Sequence, residues 1–316
     1  MSVVSETKTL SAVEEKIILT LLYYDIFSYP LKAAEVFRFL GTNLVTEAII
    51  EKDLANLRKR GLVYQFGHFF SIQNDEHNTL RRMRGNDLAE KLLPVARRQA
   101  RLIARFPFVR GVMASGSFSK GYMDQKSDLD FFIITEPRRL WIARTLLVLY
   151  KRLFLFNSHK YFCVNYFVDA EHLVIEEKNL FTATELATLI PLSGASLYLK
   201  LQAANAWITD IFPNYGPRSV NGVEESAQSW FKDLTEKIID VVTPTRLERF
   251  FKNLTLRRWH KLYGSSYSAA DFRVAFKTND HISKTHPNHY QKKIERLYAD
   301  KVNTFQAPLE STWSYE

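Results

Sequence analysis

Apolar positions in the first 72 residues recur at helical spacing in three runs and then alternate over a short hairpin. The predicted helices cover about residues 11–24, 30–40 and 46–60. Ser11, followed three residues later by Glu14, is typical of a capping box at a helix start. The third helix places three apolar residues on one face, namely Ile50, Leu54 and Leu57. Two short strands, 62–66 and 68–72, are predicted around Gly67.

The middle of the chain alternates helices with short apolar runs. A long helix is predicted over residues 78–106, closed by Pro107, with its apolar face formed by Leu88, Leu92, Val95, Gln99 and Ile103. Apolar strands follow at Val109–Ala114 and Leu129–Thr135. A helix over 138–156 then leads to a strand over 160–169.

The last third of the chain predicts further helices. They cover about residues 181–212, 225–242, 245–262 and 287–303, with a Pro/Gly/Asn-bearing loop over 213–222. The whole pattern predicts an α+β protein. We predict three domains along the chain, namely residues 1–75, a central sheet with flanking helices at 76–180, and a helical region at 181–316.

Composition narrows the class of protein. The 316 residues are 46% hydrophobic, enough for a large buried core. The most apolar segment, Leu140–Phe156, is interrupted by Arg144, Lys151 and Arg152, which argues against a membrane span. The polar first ten residues lack the apolar stretch of a signal peptide, and the single cysteine, Cys163, excludes an internal disulfide. We therefore expect a soluble cytoplasmic protein with Cys163 as a small buried hydrophobe.

Positive charge is concentrated in two segments. The net charge is +9, and residues 81–110 hold nine basic against two acidic side chains. Residues 241–316 hold thirteen against seven, whereas residues 11–71 are neutral. Basic clusters attract phosphate, so an anionic partner such as RNA is one interpretation. A solvated helix face with packed arginine stems is the other.

The most informative stretch is residues 109–135, VRGVMASGSFSKGYMDQKSDLDFFIIT. Gly116 and Ser117 form a small-residue turn after a strand, where backbone can approach a phosphate closely. Asp128 and Asp130 stand two residues apart at a strand start, so their carboxylates share a face. Such carboxylates repel one another unless a cation such as Mg²⁺ lies between them. The alternative is structural, with Asp128 capping a turn and Asp130 paired with an arginine.

These residues resemble the signature of the nucleotidyltransferase fold of the DNA polymerase beta superfamily. Gly116-Ser117 precedes Asp128-Leu129-Asp130 by ten residues, and a strand of four apolar residues follows. Ser119-Lys120-Gly121 and Ser127 are similar to elements of the minimal bacterial members. The specific match covers about 30 residues, and the order of helices and strands extends it over roughly residues 85–170.

The resemblance implies a Mg²⁺-dependent enzyme that moves a nucleoside monophosphate from an NTP to an acceptor, which is RNA, protein or a small molecule. Gly116 and Ser117 would hold the β- and γ-phosphates, and Lys120 would offset their charge. Asp128 and Asp130 would coordinate two Mg²⁺ ions. An acceptor hydroxyl would attack the α-phosphate in line, and pyrophosphate would leave.

One position departs from the superfamily pattern, which has a third carboxylate on the next strand. By hydrophobic register the matching residue is Asn165, which offers one carbonyl oxygen but neither charge nor basicity. Asp169 has the same strand parity, but four residues place it about 13 Å further along. The alternative function is therefore a catalytically weakened nucleotide-sensing, regulatory or antitoxin-like protein.

Two further segments allow interpretation. The three helices and hairpin of residues 11–72 resemble a winged helix-turn-helix domain, but their neutral charge argues against DNA binding and favours a structural or partner-docking role. Near the C-terminus, the spacing of His281, His286 and His289 matches no familiar metal-ligand set. We predict an exposed histidine loop there, within a polar segment Ser283–Gln291 in which Lys284 is a candidate for a phosphate or acceptor contact.

Overall fold

The computed structural model describes residues 10–158, 160–226, 229–241, 244–285 and 290–311. It confirms the predicted α+β class, because helices surround a mixed sheet. The polar start of the chain at residues 1–9, the two histidines His286 and His289, and the predicted helix start at Pro287 lie outside the described residues. Among the described residues, none of the helices combines the length and the apolar character needed to cross a bilayer.

The first nine helices lie before residue 212. They are α1 Ala12–Asp25, α2 Ala33–Arg38, α3 Glu47–Lys59, α4 Glu76–Ala104, α5 Gly116–Ser119, α6 Leu140–Phe154, α7 Leu180–Thr188, α8 Ala195–Ala204 and α9 Ile208–Ile211. The later ones are α10 Trp230–Val241, α11 Pro244–Tyr263, α12 Ala269–Ala275 and α13 Tyr290–Ser311. The strands are β1 Tyr64–Phe66, β2 Phe69–Ser71, β3 Val109–Ser115, β4 Asp130–Thr135, β5 Cys163–Asp169, β6 Ile190–Ser193 and β7 Ile282–Lys284.

The chain packs as two compact units. Unit 1 consists of Met1–Arg84, Trp207–Gly216 and Lys292–Glu316, and unit 2 consists of Gly85–Ala206 and Pro217–Gln291. Each unit therefore draws on separated parts of the sequence.

In unit 1, helices α1 to α3 are followed by the antiparallel hairpin β1–β2. The predicted capping box is confirmed, because the Ser11 side chain accepts from the Glu14 amide and the Glu14 side chain accepts from the Ser11 amide. The predicted apolar face of α3 is also confirmed, since Ile50, Leu54 and Leu57 are fully buried. A backbone bridge from Leu31 to Phe70 adds a third short segment to the hairpin.

Two of the basic residues in segment 81–110 make contacts within unit 1. The Arg82 guanidinium is buried between the rings of Tyr29 and Phe69, at 4.2 and 4.6 Å from their centroids, and it pairs with Glu35 at 2.6 Å. Arg81 donates to the carbonyl oxygens of residues 27 and 28. These two side chains are internal contacts of the fold, whereas most of the basic residues further along α4 are exposed.

Unit 2 is built on a five-stranded sheet with the order β6-β3-β4-β5-β7. Strands β4 and β5 run parallel, and the other neighbouring pairs are antiparallel. The parallel pair requires a crossover, which α6 supplies, as the helical pattern between the two predicted strands indicates. Apolar residues of β3, β4 and β5 alternate into a core shared with α4 and α6.

Helix α4 differs from its prediction in the face that it buries. Of the predicted face, Ile103 is fully buried but Leu88, Leu92 and Val95 are only partly buried, and the other residues of α4 in the core of unit 2 are small, namely Ala89, Ala96, Ala100 and Ala104. Small side chains let α4 approach the sheet closely. Side-chain size, rather than hydropathy, therefore determines which face of α4 packs on the core. Pro94, which lies inside the helix, does not end it.

The region after residue 181 was predicted to be helical, but it also contributes both edge strands of the sheet. Strand β6 has four residues and contains Pro191, and β7 has three. Runs this short carry no measurable periodicity, and proline is tolerated at a sheet edge because no partner needs its missing amide. Strand β6 lies inside the predicted helix over 181–212, whereas β7 overlaps the predicted polar segment Ser283–Gln291, so the sequence pattern indicated neither strand.

The buried Lys232 and the half-buried Glu248 connect helices α10 and α11 to the rest of unit 2. Lys232 of α10 donates to the Ala104 and Val109 carbonyl oxygens at 2.9 and 2.7 Å, and burial lowers its pKa to about 8. Glu248 of α11 accepts from the amides of Trp141 and Ile142 at the start of α6. These contacts supply partners for unpaired groups at the end of α4 and the start of α6.

Candidate nucleotide site

The turn between β3 and α5 brings backbone against a buried carboxylate. Ser115, the last residue of β3, pairs with Asp130, the first residue of β4. Gly116 follows in the left-handed region, with φ of 66°, and a Cβ at this position would collide with the Asp130 Oδ2 atom. Both the conformation and the close approach therefore require glycine. The structure thus brings the predicted Gly116 and Asp130 into direct contact.

The surroundings of Asp130 disfavour the ionised form of its carboxyl group. Burial raises the pKa of Asp130 to about 6, and the neighbouring charges of Asp128 and Glu185 add to the shift. Hydrogen bonding with the Cys163 thiol and the charge of Lys120 oppose it. A cation beside this carboxylate would remove the electrostatic cost.

Asp128 lies at the end of a loop that its neighbours hold in one shape. The Asp124 carboxylate accepts from the amides of Lys126 and Ser127 and from the Ser127 hydroxyl. The Lys160 ammonium donates to the carbonyl oxygens of Gln125 and Ser127 at 2.5 and 2.8 Å. Asp128 itself is half-buried. These contacts hold the loop in one conformation, in which Asp128 lies at the same end of the sheet as Asp130.

Ser117 and Lys120 lie on and after the short helix α5. The half-buried Ser117 hydroxyl lies 4.0 Å from the Met123 sulfur. The Lys120 ammonium pairs with Glu185 at 2.7 Å and donates to the Gly116 carbonyl at 3.0 Å. Lys120 is thus at the predicted place, but its charge is shared with a carboxylate from α7.

Asn165 lies beside Asp130, as its register predicts. The pairing of β4 with β5 shifts at this point, because Phe131 faces Val164 and Phe132 faces Tyr166. The amide nitrogen of Asn165 donates to Asp130 Oδ1 at 2.9 Å. Its carbonyl oxygen Oδ1 is buried and has no hydrogen-bond partner among the described residues. An unpaired buried oxygen at a carboxylate site is a ready ligand for a cation.

Asp169 is remote from this group, as predicted. It pairs with Thr135 at the far end of the same two strands. There its carboxylate is fully buried and contacts His172 and His281. Among the described residues, these three form a His/carboxylate group with metal-compatible spacing. The prediction of an exposed histidine loop is therefore wrong for His281, which lies in contact with Asp169.

The sequence analysis missed two residues next to the first site. Glu185 on α7 pairs with Lys120, and its charge acts on Asp130. Tyr290 opens α13, where burial raises the pKa of its hydroxyl and the charges of Glu185 and Asp130 raise it further. Their distance along the chain from residues 116–130 left no local pattern that could have indicated them.

Comparison with known proteins identifies no relative. No family model, no curated protein and no solved structure matches this chain.

Proposed function

We propose that the chain is a Mg²⁺-dependent nucleotidyltransferase that transfers a nucleoside monophosphate from an NTP to an acceptor hydroxyl. The observation that carries the proposal is the contact between the left-handed Gly116 and the Asp130 carboxylate. A small-residue turn after a strand thus lies directly against a carboxylate, which is an arrangement that nucleotide transfer uses. The order α4-β3-α5-β4-α6-β5 around it supports the resemblance seen in the sequence.

The donor set fits Mg²⁺. Asp128 and Asp130 supply carboxylate oxygens, and the buried Asn165 Oδ1 lacks a partner. These are the oxygen ligands that Mg²⁺ takes in proteins, together with substrate phosphates and water. When bound, Mg²⁺ would neutralise charge on the phosphates and on the two carboxylates. The raised pKa of Asp130 is the expected property of such a site without its cation.

The residues of the chain have distinct tasks in this proposal. The backbone amides of Gly116 and Ser117 and the Ser117 hydroxyl hold the β- and γ-phosphates. Lys120, released in part from Glu185, offsets the charge of the leaving pyrophosphate. The acceptor hydroxyl attacks the α-phosphorus in line and releases its proton to solvent, a P–O bond forms, and the bond to pyrophosphate breaks. Positioning and electrostatics supply the catalysis.

An exposed basic stripe favours an anionic acceptor such as RNA. Within unit 2, α4 exposes four basic side chains, namely Lys91, Arg97, Arg98 and Arg101, and the exposed Arg105 follows its last residue. Lys91 and Arg98 are seven residues apart and therefore share one face of the helix. Such a stripe attracts phosphate in a salt-dependent way. It belongs to the basic segment 81–110, which holds nine basic against two acidic side chains.

A second candidate is a nucleotide-sensing or antitoxin-like protein with reduced chemistry. Asn165, in the place of a third carboxylate, donates a hydrogen bond to Asp130, and Lys120 is engaged by Glu185. The first contact partly compensates the charge of Asp130, and the second engages the charge of Lys120, so the site depends less on a catalytic cation. The helices and hairpin of unit 1 would then act as a winged-helix-like module for docking a partner. Their neutral charge disfavours DNA as that partner.

Nucleotide binding and transfer can be tested with one set of variants. Wild type, Asp128→Asn and Asp130→Asn are incubated with Mg²⁺ and each α-labelled NTP, with total RNA, cell protein or small-molecule extract as acceptor. We expect label in one acceptor class with wild type only, and loss of Mg²⁺-dependent NTP binding in both variants. The isosteric changes keep the shape of each side chain but remove the charge that holds Mg²⁺.

Asp87→Asn is the matched control, because Asp87 is an exposed carboxylate of α4 in the same unit. It should leave binding and transfer at the wild-type level. Mg²⁺-dependent binding without any transfer would favour the sensing protein. Wild-type NTP binding in the Asp130→Asn variant would refute the site itself.

A further inference from the structure

The opposite end of strand β5 holds a second group of ligand-type residues that the proposed transfer reaction does not use. Asp169 is the last residue of β5, and its side chain has no exposed surface. Its carboxylate oxygens lie 2.8 Å from His172 Nδ1 and 2.6 Å from His281 Nδ1. The two imidazole rings stack on each other with their centroids 3.4 Å apart.

The fold itself brings these residues together. Strand β7 pairs with β5, so that Ile282 lies opposite Val168 and the Asp169 amide donates to the His281 carbonyl. The turn after β5 returns His172 to the same carboxylate, which also accepts from the Glu171 and His172 amides. The group therefore rests on backbone pairing and not on a chance meeting of surface side chains.

A fully buried carboxylate needs a positive partner, since burying an unpaired charge is costly. In the described part of the chain, no lysine or arginine forms an ion pair with Asp169, and its side-chain neighbours are the two imidazoles. Both rings keep one edge in solvent, with exposed fractions of 45% for His172 and 34% for His281. The group therefore borders solvent, from which a cation can approach it.

The geometry points to a binding site for a divalent transition metal of the zinc class, held by Asp169, His172 and His281. Two imidazole nitrogens with one carboxylate oxygen are a ligand set that Zn²⁺ takes, with a fourth position left for water or a further ligand. One ligand atom from each residue lies within 4.8 Å of the others. Hard Mg²⁺ prefers oxygen ligands, so this site and the Asp128/Asp130 site are selective for different metals.

Metal binding requires a small local change. Two ligands of a tetrahedral Zn²⁺ with bonds of about 2.1 Å lie about 3.4 Å apart, which is wider than the present N–O distances. The stacked rings must also turn so that their nitrogen atoms converge. The half-exposed side chain of His172, which follows a turn, has room for this movement.

The bound metal would join the end of β5 to the edge strand β7. The ligands Asp169 and His281 are separated by 112 positions. A ligand that binds only the folded chain stabilises it in proportion to its concentration above Kd. We therefore assign the site the role of fastening the three-residue strand β7 to the sheet.

The test uses the full chain without a histidine tag and ZnCl₂ as the probe. Calorimetric titration should give one Zn²⁺ per chain, and Zn²⁺ should raise the Tm. Co²⁺ in its place should give the visible absorption of a four-coordinate ion with nitrogen and oxygen ligands. Hydrogen exchange of the β7 amides should slow when Zn²⁺ is present.

His172→Ala and His281→Ala should each weaken Zn²⁺ binding at least about tenfold, because each removes one ligand. His68→Ala, which removes an exposed histidine of unit 1, should bind as wild type does. His172 is exposed enough for its variant to fold, as circular dichroism would verify. Failure of wild type to take up Zn²⁺ at micromolar concentration, or unchanged binding in His172→Ala, would overturn the assignment. No readout involves a nucleotide, so the outcome is independent of the proposed transferase.

Discussion

The two ends of the parallel strand pair β4–β5 carry carboxylates in contrasting surroundings. At the start of β4, Asp130 is next to a second carboxylate, and burial raises its pKa to about 6. At the far end, Asp169 is more deeply buried, yet two imidazoles and two backbone amides contact its oxygens. The first carboxylate is only partly compensated, by Asn165, Cys163 and Lys120, whereas four donor groups surround the second. The difference indicates that Asp130 costs stability, whereas Asp169 supports it.

The largest effect is expected from removing the compensated carboxylate. Asp169→Ala should lower the free energy of unfolding by about 3–5 kcal/mol, because it empties the buried position of the carboxylate and leaves two backbone amides and two imidazoles without their acceptor. Urea unfolding followed by circular dichroism measures this loss. Asp169→Asn, which keeps one oxygen and the side-chain volume, should lose less. A loss below about 1 kcal/mol in the alanine variant would show that these contacts do not stabilise the fold.

Removing the carboxylate charge at Asp130 is expected to raise the free energy of unfolding, not to lower it. Its pKa is raised from 3.8 to about 6, so the folded state holds the proton more tightly than the unfolded state. Wild-type stability should therefore fall as the pH rises from about 4 to about 6, and this cost should persist at higher pH. Asp130→Asn removes the ionisation, so it should gain up to about 3 kcal/mol relative to wild type between pH 4 and pH 8.

Urea unfolding of both proteins in metal-free buffer at pH 4, 6 and 8 measures this difference. Asp87→Asn, at an exposed carboxylate, should change little between these pH values. Added Mg²⁺ should reduce the advantage of Asp130→Asn at pH 8, because the cation supplies the missing compensation to wild type. A variant that is less stable than wild type at pH 8 would mean that the Asp130 charge is already balanced within the fold.

The sequence predicted one of these two ends far better than the other. Gly116, Asp128 and Asp130 lie within 15 consecutive residues, so strand parity and a glycine turn were enough to bring them together. The group at Asp169 depends on the pairing of β5 with β7, a three-residue strand 112 positions later. No local periodicity encodes such a strand, and the histidine spacing was therefore interpreted as an exposed loop.

The dependence on contacts between distant parts of the chain also explains where the observed fold differs from the predicted one. Helix α1 begins at its predicted capping box, and α3 buries its predicted apolar face, because both signals are local. Helix α4, by contrast, turns alanines such as Ala96 and Ala100 to the core. Their selection depends on how closely the sheet approaches, which hydropathy along the chain does not describe.

The smallest effect is expected at Asn165, the residue whose chemistry distinguishes the two candidate functions. Asn165→Asp adds a carboxylate beside Asp130, at the position where its amide nitrogen now donates to Asp130 Oδ1 at 2.9 Å. If the proposed site binds Mg²⁺, the added charge should strengthen Mg²⁺ binding and raise any basal transfer rate by about tenfold, equivalent to about 1.4 kcal/mol in the barrier. Without Mg²⁺ the like charges should lower stability slightly.

The incorporation assay and Mg²⁺ titration of wild type and variant measure these changes. Asn253→Asp, which adds the same charge at an exposed position of α11, is the matched control and should behave as wild type does. Zn²⁺ binding at the far end of β5 should remain unchanged in both variants, because the added charge lies at the other end of the strand. A transfer rate that falls in Asn165→Asp would show that the amide is the functional group, and that its hydrogen bond to Asp130 positions the carboxylate.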